Sequence, residues 1–376
     1  MINTKLQAIA ASMGAMSTYA ELFGTPPQGG DLLQHIKKVY RQLARELHPD
    51  RYTDDDDKQK ANQLFARLTT FHDEAVKAQK LGKYGEPVVL ATIRTKKMTH
   101  TVLKQAMGGD ACDGFVSQTL FGATTVETFT KVARNPRDND LLKAEAKALA
   151  QLRGPDADPQ WFPYVSGLVD HFVYGDMGKR REANVLARLD GFYSLEELYR
   201  IFNGSIPHVH LVWMWRRLIS ALGFAHDNGV IHGAVLPQHV MILPEMHGVT
   251  LIDWCYSSVK VDGEYPPLKA VVNSNKGWYP PEVFAKEAPS PGTDIAMAAR
   301  TFVWLFGGNP ITGIMPPSVP LPFRAFFRGC LMDRQRMRPQ DAWQLRNEFD
   351  EILERLGRPF YPRQFRPFEL PTGSTK

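Results

Sequence analysis

Leu218-Ile-Ser-Ala-Leu-Gly-Phe-Ala-His226-Asp-Asn-Gly-Val-Ile-His232-Gly233-Ala234-Val-Leu236-Pro237-Gln-His239 is the stretch on which the reading of this chain turns. It lies in a region, from residue 194 onward, whose pattern is mostly helical and interrupted by Gly- and Pro-rich loops. Upstream the texture differs. Segments 88–93, 101–107, 114–121 and 125–133 are rich in Val, Thr and Phe, are bounded by Gly, and read as strands. A helix follows over Asp140–Leu152, then two further strands at 167–174 and 183–189. A strand-rich part followed by a helix-rich part is an α+β, bilobal arrangement.

The residues before this body read differently again. Segment 17–81 is all-helical in pattern, with a short helix leading into it from the N-terminus. Leu33, Ile36, Tyr40, Leu43 and Leu47 fall on one face of a helix that Asp31 caps after Gly29-Gly30. Lys37, Lys38, Arg41 and Arg45 occupy the opposite face. Pro49 ends this helix, and Arg51-Tyr-Thr-Asp-Asp-Asp-Asp57 reads as an exposed loop. A second amphipathic helix turns Leu64, Phe65, Leu68, Phe71 and Ala75 inward, completing an antiparallel hairpin. Gly82–Pro87 reads as a linker, and the Pro- and Arg-rich residues from Pro359 onward read as a tail.

Bulk properties narrow the classes. The 376 residues are enough for two or three domains, and 43% apolar with 23% charged residues is a globular balance. A net charge of +5 over this length makes no case for nucleic acid. No apolar run approaches the ~20 residues a spanning helix requires. Cys112, Cys255 and Cys330 lie far apart with no CxxC pair, which argues against zinc and fits a reducing compartment. The expected location is the cytoplasm.

His48-Pro49-Asp50 sits between the two antiparallel helices, beside the cationic face. Pro49 fixes a tight loop that displays His48 and Asp50 as a polar pair, a docking surface for an acidic partner; the bland alternative is a helix-terminating turn. With Tyr19-Ala-Glu-Leu-Phe-Gly24 and Tyr40-Arg41-Gln-Leu-Ala-Arg45, the arrangement resembles the J domain of DnaJ-type co-chaperones over about residues 17–80. The resemblance implies that Hsp70 is the partner and that His48, Pro49, Asp50 and the basic residues contact it.

From Gly109 onward the landmarks resemble the eukaryotic-like protein kinase family, a resemblance that covers about residues 100–356. Gly109-Asp-Ala-Cys-Asp-Gly114-Phe-Val116 resembles the glycine-rich loop, where missing side chains let backbone N–H groups approach phosphates. Lys131 matches the strand lysine that holds the α- and β-phosphates, and Glu145 matches its helix partner. Phe129 stands where the family has a small residue against the adenine ring. Ala187-Arg-Leu-Asp-Gly191 resembles the hinge. His226 to His239 aligns with the catalytic loop, but Ala234 takes the place of the catalytic aspartate, Leu236 that of the loop lysine and His239 that of the metal-binding asparagine. Leu251-Ile-Asp253-Trp-Cys255 resembles the DFG segment, so Asp253 and His239 are the metal candidates. Pro280-Pro281-Glu282 resembles the APE motif, Arg338 its buried partner, and Asp294 the aspartate bracing the catalytic loop.

The expected organisation is a J domain with its leading helix over 1–85, a linker and leading strand over 86–99, a kinase-like domain over 100–356 and a tail over 357–376. The expected function is Hsp70 recruitment and stimulation, joined to a pseudokinase that binds Mg-ATP weakly or serves as a scaffold for a client or signalling protein, without nucleic acid or membrane partners. Two alternatives stay open: an active atypical ATP-dependent kinase using His239 or Asp253 in place of the missing aspartate, and a scaffold that binds no nucleotide because Phe129 fills the base pocket.

Overall fold

The computed structural model describes residues 4–16, 18–27, 29–86, 89–108, 111–176, 178–360 and 365–371. The chain forms two compact units that divide between residues 88 and 89. Together they make a mixed α/β protein. Among the described residues no helix is long and apolar enough to cross a membrane.

The first unit is helical: α1 (Thr4–Ala15), α2 (Tyr19–Phe23), α3 (Leu32–Leu47) and α4 (Asp55–Lys80). Thr18 and Glu21 close a reciprocal capping box at α2, with the Thr18 side chain accepting from the Glu21 N–H at 3.2 Å. Asp31 caps α3 by accepting from the Gln34 N–H at 3.0 Å. Leu32 rather than Leu33 joins the core, with Ile36, Val39, Tyr40, Leu43 and Leu47. Leu6, Met13, Ile36, Leu47 and Leu68 are essentially inaccessible, each contributing roughly 1.5–3 kcal/mol by burial. Asp55, Asp56 and Asp57 are not loop, as expected from their charge, but the first turn of α4. Asp54 caps it, and three carboxylates lie at the positive end of the helix dipole.

The second unit opens with a six-stranded antiparallel sheet of β1 (Ala91–Arg94), β2 (Thr99–Gly108), β3 (Cys112–Phe121), β4 (Thr124–Ala133), β5 (Leu168–Tyr174) and β6 (Arg181–Ala187), in the order β1-β2-β3-β4-β6-β5. The helix α5 (Asn139–Leu152) is inserted between β4 and β5. The sheet curls until its ends meet: Asp170 on β5 accepts from Thr95 at 2.8 Å and pairs with His100 of β2 at 2.9 Å. One face carries a fully buried row of hydroxyls, with Ser117 bonded to Thr128 and Thr130, and Thr119 bonded to Thr128 and His100. Thr and Ser in these strands thus satisfy one another rather than facing water.

The remainder is mostly helical. A short strand β7 (Tyr193–Ser194) leads into α6 (Leu195–Ile201), α7 (His208–Asp227), the strands β8 (Val230–Ile231), β9 (Val240–Leu243), β10 (Gly248–Leu251) and β11 (Ser258–Val259), then α8 (Pro281–Phe284), α9 (Pro291–Leu305), α10 (Leu321–Cys330) and α11 (Ala342–Leu356). Trp215 of α7 is fully buried, in edge-on contact with Phe302 of α9 and Phe327 of α10, and packs with Phe349 of α11. Glu282 and Arg338 form a buried bidentate pair at 2.6 and 3.1 Å. The C-terminal tail packs on this body: Phe368 is buried, stacked on Phe202 at 5.2 Å between ring centroids.

Candidate functional site

Two constellations stand out, one in each unit. In the first, α3 ends at Leu47, and Pro49–Arg51 forms a single 3-10 turn before α4. Proline fits there because the first position of such a turn needs no N–H donor. The turn is pinned from outside the tripeptide. Arg51 donates to the Arg45 carbonyl at 2.9 Å and Tyr52 donates to the Glu46 carbonyl at 2.6 Å. His48 accepts from the Asp50 N–H at 3.4 Å, and its ring meets Phe65 edge-on. The side chains of His48 and Asp50 nonetheless stay 54% and 86% exposed, which leaves both available to a partner. Lys37, Lys38, Arg41 and Arg45 are all exposed along α3. The loop is therefore a fixed polar display at the end of a cationic helix.

In the second unit, strand alternation puts Phe129 and Lys131 of β4 on the same side. Lys131 is buried, and its ammonium donates to Glu145 Oε1 of α5 at 2.8 Å, to Asp253 Oδ1 at 2.6 Å and to Cys255 Sγ at 3.1 Å. Burial alone would favour the neutral amine; the carboxylates of Asp253 and then Glu145 outweigh it and hold Lys131 well above its ordinary range. Burial would likewise favour a protonated Asp253, but Lys131 and then His239 hold it well below the usual carboxylate range. Asp253 adopts a left-handed backbone at φ 63° and ψ 56°, a conformation that Asp tolerates better than most residues.

His239 is buried beside them. Its Nδ1 lies 2.8 Å from the Ala234 carbonyl and its Nε2 lies 3.0 Å from Asp253 Oδ2. Both ring nitrogens thus face acceptors, and His239 is fixed between the loop backbone and Asp253. His232 is the opposite case. Its Nε2 donates to the Ile252 carbonyl at 2.9 Å and its Nδ1 accepts from the Ala234 N–H at 3.2 Å. Burial pushes it down to about 4, so it is neutral at pH 7. Asp294 holds the same loop from below, accepting from the His232 and Gly233 N–H groups at 2.8 Å each and pairing with His226 at 3.0 Å. Gly233 has φ 73°, and a Cβ there would lie 2.4 Å from the Tyr256 carbonyl oxygen, so no side chain is accommodated.

Ala234, Val235 and Leu236 are wholly inaccessible. The position read as the catalytic aspartate thus carries a buried methyl, with no proton acceptor in the side chain. Gly114 pairs with Lys131 across β3 and β4, but the space above it is filled. A Cβ built there would lie 2.4 Å from Phe129 Cζ and 2.6 Å from Met107 Cγ. Gly109 lies outside the described residues.

Glu145, Asp253 and Cys255 bring potential ligand atoms within 4.8 Å of one another. They do not fit Mg²⁺, which demands near-octahedral oxygen ligands. Both Asp253 oxygens already accept, from Lys131 and His239, and both Glu145 oxygens accept, from Lys131 and from Asn184 Nδ2 at 2.8 Å. Cys255 is a soft donor whose thiol burial, and next Glu145, hold protonated well above its ordinary range. The Lys131 ammonium occupies the point where a cation would sit. Sequence reading missed Cys255 and Asn184 as members of this cluster. Cys255 could have been suspected from its place two residues after Asp253, whereas nothing local marks Asn184 on β6. Compared with known proteins, the chain matches no family model and no curated protein.

Proposed function

We propose that this protein is a J-domain co-chaperone that recruits and stimulates a cytoplasmic Hsp70-type ATPase, and that its second unit is a kinase-like scaffold for a client or signalling protein, without phosphotransfer. One observation carries the first half: an exposed His48–Asp50 pair on a turn fixed by backbone-directed bonds from Arg51 and Tyr52, next to four exposed cations on α3. A rigid display loses little entropy on docking, and the cations steer an acidic surface toward it. The test is surface-immobilised Hsp70 binding by the full chain. Replacing Lys37, Lys38, Arg41 and Arg45 by Glu is expected to slow association and reverse the sign of its salt dependence. Unchanged association would overturn the docking surface.

For the second unit, the Lys131–Glu145 pair, the Asp294 brace and the Glu282–Arg338 pair support a kinase-like framework. The buried methyl of Ala234 supports the absence of general-base chemistry. Phe129 against Gly114, with both Asp253 oxygens already engaged by Lys131 and His239, favours a scaffold over a Mg-ATP site. Weak nucleotide contact is the second reading, favoured by the charged Lys131 and its Glu145 partner. Robust phosphorylation of itself or of a generic substrate by the wild-type chain, lost in Asp253→Ala, would instead establish the atypical kinase.

A further inference from the structure

Away from both constellations, the second unit holds a cleft of about 250 Å³ lined by Trp161, Tyr164, Arg216, Arg217, Ser220 and Arg346. Three guanidinium groups converge on it from α7 and α11, and one carboxylate answers them. Arg216 is committed to Asp350, with Nη2 donating to Oδ2 at 2.9 Å. Arg217 donates to the Tyr164 hydroxyl and lies over its ring, 5.9 Å from the centroid. Ser220 is turned to the backbone, donating to the Arg216 carbonyl at 3.0 Å. Arg346 is different: its Nε is shielded from solvent and has no hydrogen-bond partner. A buried N–H of a permanently charged group is costly to leave unpaired, and each such group calls for an explanation, of which a bound acceptor is one. The wall beside it is rigid, because the Trp161 ring packs on Tyr164, Phe224 and Trp343 at centroid distances of 5.3, 6.4 and 4.9 Å.

We propose that this cleft binds a phosphate monoester. Arg217 and Arg346 are the cations that Asp350 does not neutralise, and guanidinium groups donate to phosphate oxygens through paired N–H bonds. The volume admits a phosphoryl group together with a small organic substituent, and Trp161 and Tyr164 offer that substituent an aromatic face. The phosphate is the shared chemistry, whether it comes from a small metabolite or from a phosphorylated side chain.

The test is calorimetric titration of the full chain with three probes: inorganic phosphate, phenyl phosphate and a phosphoserine peptide. Phenyl phosphate is expected to bind more tightly than inorganic phosphate, and the peptide arm separates a protein-borne source from a free one. Arg346→Met and Arg217→Met are each expected to weaken phenyl phosphate at least about tenfold, the loss of one charge-assisted bond. Arg334→Met, an exposed cation elsewhere, is expected to change nothing. Because the Arg346 Nε is unpaired, Arg346→Met is expected to leave thermal stability of the unliganded chain unchanged or raised, and Arg217→Met tests the site independently of that. Absence of binding by all three probes, or equal weakening by Arg334→Met, would overturn the proposal.

Discussion

Arg338→Ala is the most quantitative perturbation of the second unit. The Arg338 and Glu282 side chains are only 1% and 3% exposed. Arg338 makes two bonds to Glu282 and two more to the carbonyls of Met332 and Asp333, at 2.6 and 2.8 Å. Truncation therefore strands a buried carboxylate and two carbonyl groups at once. Thr293 still donates to Glu282 Oε1 at 2.9 Å, which compensates only in part. Removing one partner of such a pair costs about 3–5 kcal/mol, which for a unit of this size lowers the melting temperature by on the order of 10 °C. All tryptophans of the chain lie between residues 161 and 343, so tryptophan fluorescence in urea follows the second unit alone. The double variant Glu282→Leu/Arg338→Met leaves neither charge behind and is expected to be more stable than Arg338→Ala. A loss below about 1 kcal/mol in Arg338→Ala, or a double variant worse than either single one, would refute the assignment of this pair as a mutually dependent buried anchor.

Other outcomes follow from the same geometry. His232 is neutral in the fold and binds a proton more readily when unfolded, so stability is fully present above pH 6.5 and falls as pH drops from 6.5 to about 4. The loss attributable to it is roughly 3 kcal/mol, and His232→Gln is expected to flatten that part of the pH–stability curve measured by urea titration. Millimolar Mg-ATP is expected to shift the wild-type melting temperature by less than about 1 °C, whereas Phe129→Ala/His239→Asn, which opens the space over Gly114 and removes the imidazole that occupies Asp253 Oδ2, gains a Mg²⁺-dependent shift. Lys131→Met strands the carboxylates of Glu145 and Asp253 and is expected to cost about 3–5 kcal/mol in the same urea assay, without needing any nucleotide to be present.

Much of the framework is legible in the sequence because it rests on local pattern. The α3–α4 hairpin follows from apolar spacing, the Asp31 cap and Pro49, and the strands follow from Val- and Thr-rich runs between glycines. What escapes is set by contacts distant in sequence or by a one-residue choice of phase. Leu32 replaces Leu33 in the core because positions four and three residues ahead of Ile36 both lie on its helix face, and only packing chooses between them. Asp55–Asp57 read as loop by charge, yet they are stabilised at a helix N-terminus by its dipole. The hydroxyl row on β3 and β4 is buried in a sheet that curls and closes through His100 and Asp170, which no local pattern announces. Asp253 and His239 are separately identifiable as metal candidates, but only their 3.0 Å contact reveals that they are each other's partners. Gly114 shows the same limit: a glycine expected to admit phosphate instead admits the ring of Phe129.

The most direct measurement of the central proposal is single-turnover ATP hydrolysis by cytoplasmic Hsp70 in the presence of the full chain. Wild-type protein is expected to accelerate hydrolysis in a saturable way. His48→Gln and Asp50→Asn are expected to abolish acceleration while leaving the fold intact, since both side chains are exposed. Ala234→Asp in the second unit should leave it unchanged if the mutant remains folded. Hydrolysis indifferent to the wild-type chain across several cytoplasmic Hsp70s, or stimulation that survives loss of both His48 and Asp50, would contradict the account.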